Sequence, residues 1–264
     1  EVVLAAVRTH GSALQFASRA LREDAEVVLA AVCSDADALQ YAPHELWADR
    51  ELVLAAVQGN GQVLRIAPGA LRADPEVALA AVASDPRALE FVPQSLLEDH
   101  SFVLVAVQVC EYALQFASEQ LRAARDVVLA AVARDGRALQ FASMELRATR
   151  DVALAAVRSH PAALAHAAEE LRSKARFVLA AAKEQPESLA YAPEELLQDR
   201  HFVLAASKAT ASALEFAPEA LRANRELVLA AARFHWEALQ FASAELRGDR
   251  ELVLAVLELR GDRE

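Results

Sequence analysis

The six residues ALQFAS begin at Ala13 and begin again at Ala113, Ala138 and Ala238, always a multiple of 25 residues apart. Cut at Glu1, Glu26, Glu51, Glu76, Ser101, Asp126, Asp151, Arg176, His201 and Glu226, the chain falls into ten copies without a gap, and a partial copy spans 251–264. A unit of this size is too small to bury its own apolar face, so like units must stack and each covers the last. The constraint is strict, because one inserted residue would misalign a copy with both neighbours.

Leucine stands at positions 4 and 14 of the copies (Leu4 to Leu254, Leu14 to Leu239) and again at position 21 (Leu21 to Leu246). Position 16 is aromatic in Phe16, Tyr41, Phe91, Phe116, Phe141, Tyr191, Phe216 and Phe241, with Ile66 and His166 as exceptions. These columns read as the core. The run EVVLAAV reads as a first helix, apolar nearly all round and therefore sandwiched between neighbours. Its N-caps are Asp24, Asp49, Asp74, Asp99, Asp199 and Asp249, with Thr149 and Asn224 in their place elsewhere, and Pro75 opens one helix where no amide is needed. Glycine or proline near position 11 (Gly11, Gly61, Gly136, Pro86, Pro161, Pro186) ends it. A short second helix then carries ALQFA, and proline or serine at position 18 starts a new turn of α or 3-10 helix.

The expected fold is therefore all-α: a right-handed α-solenoid of about ten and a half 25-residue repeats, forming one array over 1–264. The last copy departs from the pattern, since ELRGDRE at Glu245–Glu251 recurs at Glu258–Glu264 after only 13 residues. The chain starts at Glu1 and its one methionine is Met144, so it reads as a piece of a longer protein.

The recurring phrase resembles a helical repeat known as domain of unknown function 4116. ALQYAPHELWADRELVLAAV from Ala38 and SLAYAPEELLQDRHFVLAAS from Ser188 carry the likeness, which covers essentially the whole chain. It is also loosely similar in geometry to leucine-rich repeat variants, in which α and 3-10 helices alternate. What the resemblance implies is a binding or scaffolding array, with no chemistry to carry over.

Composition narrows the function further. The chain carries 27 basic and 38 acidic residues, a net charge of −11, with the two signs interspersed. Nucleic-acid binding needs a basic stripe that releases counterions, so this balance argues against it. The longest apolar run, Val77 to Ala83, is far short of the roughly 20 residues of a membrane-spanning helix, and no membrane insertion is expected. Cys33 and Cys110 lie three copies apart, roughly 25–30 Å at the spacing of packed helices, too far for a disulfide. Free thiols suit an intracellular reducing compartment.

No motif for catalysis emerges, and no enzyme activity, metal, cofactor or small-molecule substrate is expected. His10, His160 and His235 share one column on distant copies and cannot meet at one metal. His166 takes a core aromatic position. The triplets Arg247–Asp249 and Arg260–Asp262 look like adhesion motifs, but Arg72–Asp74 and Arg222–Asn224 hold the same columns as capping turns. The arginines of position 22, from Arg22 to Arg247, read as exposed partners of neighbouring acids.

Positions 8 to 12 vary most, and they lie on one edge of the array. Tyr112, Phe234, His235 and Trp236 place aromatic rings there, and Trp47 does so in the arginine column. Such residues are enriched in binding hot spots. The expected function is a non-enzymatic protein–protein interaction scaffold with an extended acidic surface; the alternative is a structural spacer that recognises nothing along its length.

Overall fold

The aspartates before each apolar run start the helices as their chemistry requires. In the computed structural model, which describes residues 1–261, Asp24, Asp49 and Asp74 each accept two backbone N–H groups of the first helical turn, at 2.9 to 3.3 Å. These bonds satisfy donors that an α-helix leaves unpaired at its start. Thr149 departs from the expectation: its hydroxyl donates to the Glu145 carbonyl at 2.8 Å, and its helix has no side-chain cap. The helices opened by these aspartates are Ala25–Ser34, Arg50–Gly59 and Pro75–Ser84; Arg150–Ser159 follows Thr149. Among the described residues there is no strand.

Most long helices end at position 10, where one residue makes the whole break. Asp35 is extended (φ −147°, ψ 111°), and its N–H closes the long helix on the Ala31 carbonyl at 2.9 Å. Its own carbonyl then accepts from the Ala38 N–H at 3.0 Å, and its Oδ1 accepts from the Asp37 N–H at 3.0 Å. An i to i+3 bond and a short polar side chain that takes the i+2 amide together start a 3-10 turn rather than an α-turn. Asn60, Asp85 and Asp135 repeat the side-chain bond, and His160 does so through Nδ1. The 3-10 segments that follow include Ala36–Tyr41, Pro86–Phe91 and Pro161–His166.

The glycines of position 11 have a different reason from the one expected. Among the described residues none has a left-handed φ, so Gly61 is not there to reverse the chain. A Cβ on Gly61 would stand 2.9 Å from both Cβ and N of Asp85 in the next copy, and one on Gly136 would stand 3.0 Å from the His160 N. Glycine lets the copies approach.

The third element is a four-residue α-helix, such as His44–Trp47, Glu119–Arg122 or Glu169–Arg172. The expected 3-10 geometry thus belongs to the second segment of a copy and the α-geometry to the third. Serine at position 18 caps the short helix in Ser118, Ser143 and Ser243, whose Oγ accepts the i+3 amide at 3.3 to 3.4 Å. Where this residue is not proline its N–H can also bond the preceding copy: Ser118 to the Leu97 carbonyl, Ala168 to Arg147, Ser243 to Arg222, at 2.9 to 3.1 Å.

The chain divides into two compact units, Glu1–Ala131 and Val132–Glu264, the boundary falling inside the long helix Arg125–Arg134. In the first unit each long helix from Val2–Thr9 to His100–Val109 packs on the next, and the 3-10 segments form a second row beside them. The second unit repeats the arrangement from Arg150–Ser159 to Arg250–Gly261. This is a helical repeat solenoid in each unit. The final helix, Arg250–Gly261, runs for 12 residues, and the end of the 13-residue recurrence, with Asp262, lies outside the described residues.

The core differs from the leucine and aromatic columns that the sequence points to. Only position 14 is fully buried, from Leu14 to Leu214. Positions 2, 3, 6 and 7 of the long helix, with 13 and 17, complete the core; Val77, Ala78, Ala81, Val82, Ala88, Leu89 and Val92 show one full set. The position-4 leucines are half-buried except Leu154, which is buried, and Leu254, which is exposed, and every described position-16 aromatic is half-buried or exposed, Phe16 to 83%. The long helix is thus sandwiched along positions 2, 3, 6 and 7 and open along 4 and 5.

Two substitutions follow from this packing. Gly61→Ala should lower unfolding stability by about 1–3 kcal/mol through overpacking, whereas Gly69→Ala, whose Cβ meets nothing within 4 Å, should leave it equal or higher. Ser188 is fully buried with no hydrogen-bond partner for its Oγ, in a column that is otherwise alanine or valine. Ser188→Ala should raise stability by about 1 kcal/mol, because an unpaired buried hydroxyl costs that much. Urea unfolding followed by circular dichroism reads all three.

Candidate interaction surface

The turn edge is built by the position-10 break, and its aromatics stand where that break is altered. In the first unit Cys110 replaces the usual polar residue at position 10 and is buried. The 3-10 segment is then replaced by a turn and the short α-helix Ala113–Phe116, with Tyr112 at its N-cap (φ −87°, ψ −6°) and 47% exposed. In the second unit the long helices Arg200–Ser207 and Arg225–Ala232 stop two residues early, and Lys208 and Arg233 take the C-cap. The Phe234 N–H turns back to the Ala231 carbonyl at 2.9 Å, and Lys208 Nζ lies 5.4 Å from the centre of its ring. Phe234 is 38% and Trp236 42% exposed.

Trp236 opens the 3-10 segment Trp236–Phe241 and forms one wall of an open groove of about 430 Å³. Leu239, Val253, Val256 and Leu257 give it an apolar lining, to which Glu237, Gln240 and Arg247 add polar groups. His235, beside Trp236, is half-buried in the extended position-10 conformation (φ −140°, ψ 108°). Phe234, His235 and Trp236 therefore belong to one edge of the second unit. Tyr112 occupies the corresponding edge of the first.

Trp47 does not join them. It lies in the short helix His44–Trp47, half-buried and stacked on His44 with ring centres 6.4 Å apart and planes 10° from parallel. Its indole N–H is buried without a partner. That is packing within its copy rather than an exposed anchor.

The arginine column behaves in the same way. Nε of Arg22, Arg72, Arg122, Arg172 and Arg222 is buried and unpartnered, so these side chains lie along the stack with their stems covered. Arg222 pairs only within its own short helix, with Glu219 at 2.6 Å. The charge ladder between copies runs instead from position 25: Arg50 to Asp74 (2.8 Å), His100 to Asp126 (2.8 Å), Arg200 to Glu226 (3.0 Å) and Arg225 to Asp249 (3.5 Å). The Arg50 guanidinium holds the Asp74 carboxyl below its ordinary range. Sequence reasoning missed this column, although the alternation of a base at position 25 with acids at 24 and 1 was visible.

On the turn edge itself, Arg87 beside Asp85, helped by Gln62 of the preceding copy, pulls the Asp85 carboxyl down to about 2. Asp135 is held low in the same way by Arg137. These carboxylates stay ionised as fixed caps, unsuited to giving or taking protons near neutrality. Burial pushes the Cys33 thiol up, which leaves it a poor nucleophile although it is exposed. Among the described residues no group of three or more His, Cys, Asp or Glu is placed to hold a metal. Asp249 of the first adhesion-like triplet accepts the Glu251 and Leu252 amides at 2.9 and 3.1 Å and is a helix cap.

His166 sits half-buried in the aromatic column, and its carbonyl accepts from Arg147 Nε at 2.8 Å. Burial, with Arg147 and Arg172 nearby, holds its imidazole below the ordinary histidine range. The unfolded chain then binds this proton before the folded one does, so stability falls as pH drops through the ordinary value near 6.5 toward the lowered folded value. His166→Phe should remove that part of the acid sensitivity and raise the melting temperature most at about pH 5.5, read by thermal melts against pH.

The sequence pattern of the domain of unknown function DUF4116 matches residues 1–47, 24–72, 74–122, 125–172, 176–222 and 224–263. Each match covers about two copies of the 25-residue unit. No curated protein and no solved structure matches the chain. With six matches spanning nearly its whole length, the chain belongs to the DUF4116 family of helical repeats.

Proposed function

We propose that the chain is a non-enzymatic protein–protein interaction scaffold, and that the turn edge of its second unit is a principal contact. The observation that carries this reading is the apolar groove walled by Trp236, with the exposed Phe234 ring close to it in sequence. Large aromatic side chains beside a concave apolar surface are the usual anchors of protein recognition, because they bury much area for little lost freedom. Glu237, Gln240 and Arg247 supply polar groups beside the apolar lining, as expected where a few anchors sit among polar neighbours. A net charge of −11 opposes nucleic acid as the partner. No described helix is long and apolar enough to cross a membrane.

Affinity capture from the native source with the wild-type chain and a Phe234→Ala/Trp236→Ala variant tests the reading. A partner that the wild type retains and the variant loses by roughly 30-fold in affinity, the effect of removing a hot spot of about 2 kcal/mol, supports the scaffold. A partner retained equally by both moves the contact off this edge. No partner for either supports the structural spacer.

A further inference from the structure

The long helices carry a second pattern, distinct from the turn edge. Positions 1, 4, 5 and 8 share one side of a 3.6-residue helix, opposite the buried positions 2, 3, 6 and 7. Leucine at position 4 and a small apolar residue at position 5, alanine in all copies except Val105, make a half-buried apolar stripe. The two ends of this face differ between the units. In the first unit position 1 is glutamate in four consecutive copies, Glu1, Glu26, Glu51 and Glu76, while position 8 after Arg8 is uncharged. In the second unit position 8 is basic in four consecutive copies, Arg158, Lys183, Lys208 and Arg233, while position 1 is mixed, Arg176 and His201 standing between Asp151 and Glu226. All of these charged residues are exposed.

The difference extends to the whole units. The first holds nine basic and eighteen acidic residues, the second eighteen and twenty. A helix dipole favours cations at every helix C-terminus alike, so it does not explain why this basic row is confined to one half of the chain.

We propose that this face binds a second copy of the chain, the first unit of one molecule docking on the second unit of another with long helices antiparallel and leucine rows facing. Antiparallel helices bring position 1 of one face over position 8 of the other, so Glu26 and Glu51 meet Lys183 and Lys208. The rows match because the same 25-residue unit sets the spacing on both sides. Four helices about 15 Å long at ~10 Å spacing offer roughly 600 Å² per partner, the low end of specific interfaces, so association depends on concentration and salt. The contact is heterologous: it leaves one acidic and one basic face unfilled, and closes as a dimer or extends into a chain.

Sedimentation equilibrium over a concentration series, at low and high salt, is the test. The wild type should gain mass with concentration at low salt and lose it at high salt. Lys183→Glu/Lys208→Glu and Glu26→Lys/Glu51→Lys should each associate at least about tenfold more weakly, since two facing charge pairs become repulsive. An equimolar mixture of the two variants should restore association, because each then meets its opposite. Circular dichroism checks that both variants keep the helical fold, which exposed positions allow. A wild type that stays monomeric at low salt overturns the proposal, as does association that the variants leave unchanged or the mixture does not restore. Binding of the wild type to anionic vesicles without self-association also overturns it and assigns the basic row to lipid.

Discussion

The extended residue at position 10 is the point on which every copy turns. Its amide ends one helix and its carbonyl begins the next, and in Asp35, Asn60, Asp85, Asp135, His160 and Thr210 its side chain takes an amide that would otherwise be left bare. Asp35 makes all three bonds within 3.0 Å. Because the break uses a single residue in β conformation rather than a flexible loop, the 3-10 row lies close against the α row and Leu14 to Leu214 are sealed between them. Glycine at position 11 then permits the close approach of the next copy at Asp85 or His160. Where Cys110 stands at position 10 the following segment is α rather than 3-10, with Tyr112 at its N-cap.

Electrostatics divides into two kinds of work. Capping aspartates and the position-25 ladder act between adjacent residues or adjacent copies, and surface pairs of that sort contribute only about 0–1 kcal/mol each. They set geometry more than stability. Of the exposed rows at positions 1 and 8, Glu51 and Glu76 pair with Arg50, Arg158 pairs with Glu184 at 2.7 Å and Lys208 lies over Phe234, while Glu26 and Lys183 are exposed. Charges that the fold does not consume are free to act on something outside it, which is why variation among otherwise identical copies is informative about partners.

Much of the fold was legible because caps and breaks are local. Asp24, Asp74 and Pro75 start helices through bonds to the next few residues, and a reader of the letters can see them. The second segment was less legible, since the same four letters ALQF wind as 3-10 within Gly11–Phe16 and as α in Ala113–Phe116. Of the aromatic edge, Tyr112, Phe234 and Trp236 proved exposed while Trp47 proved to stack on His44. Nothing in the sequence distinguishes the two outcomes, because the covering groups come from packing rather than from neighbours in the chain.

The sequence by itself determined that like units stack, where each helix starts, and which family the chain resembles, because repetition and capping are written in adjacent residues. The tertiary structure alone decided which columns are core. Leucine recurs at positions 4, 14 and 21 with equal regularity, yet only position 14 falls between the two rows, whereas position 4 turns to solvent. A recurring apolar residue records that a surface is used in every copy. Whether it is used inside the stack or on its face depends on where neighbouring copies lie, and that is a property of the assembled rows.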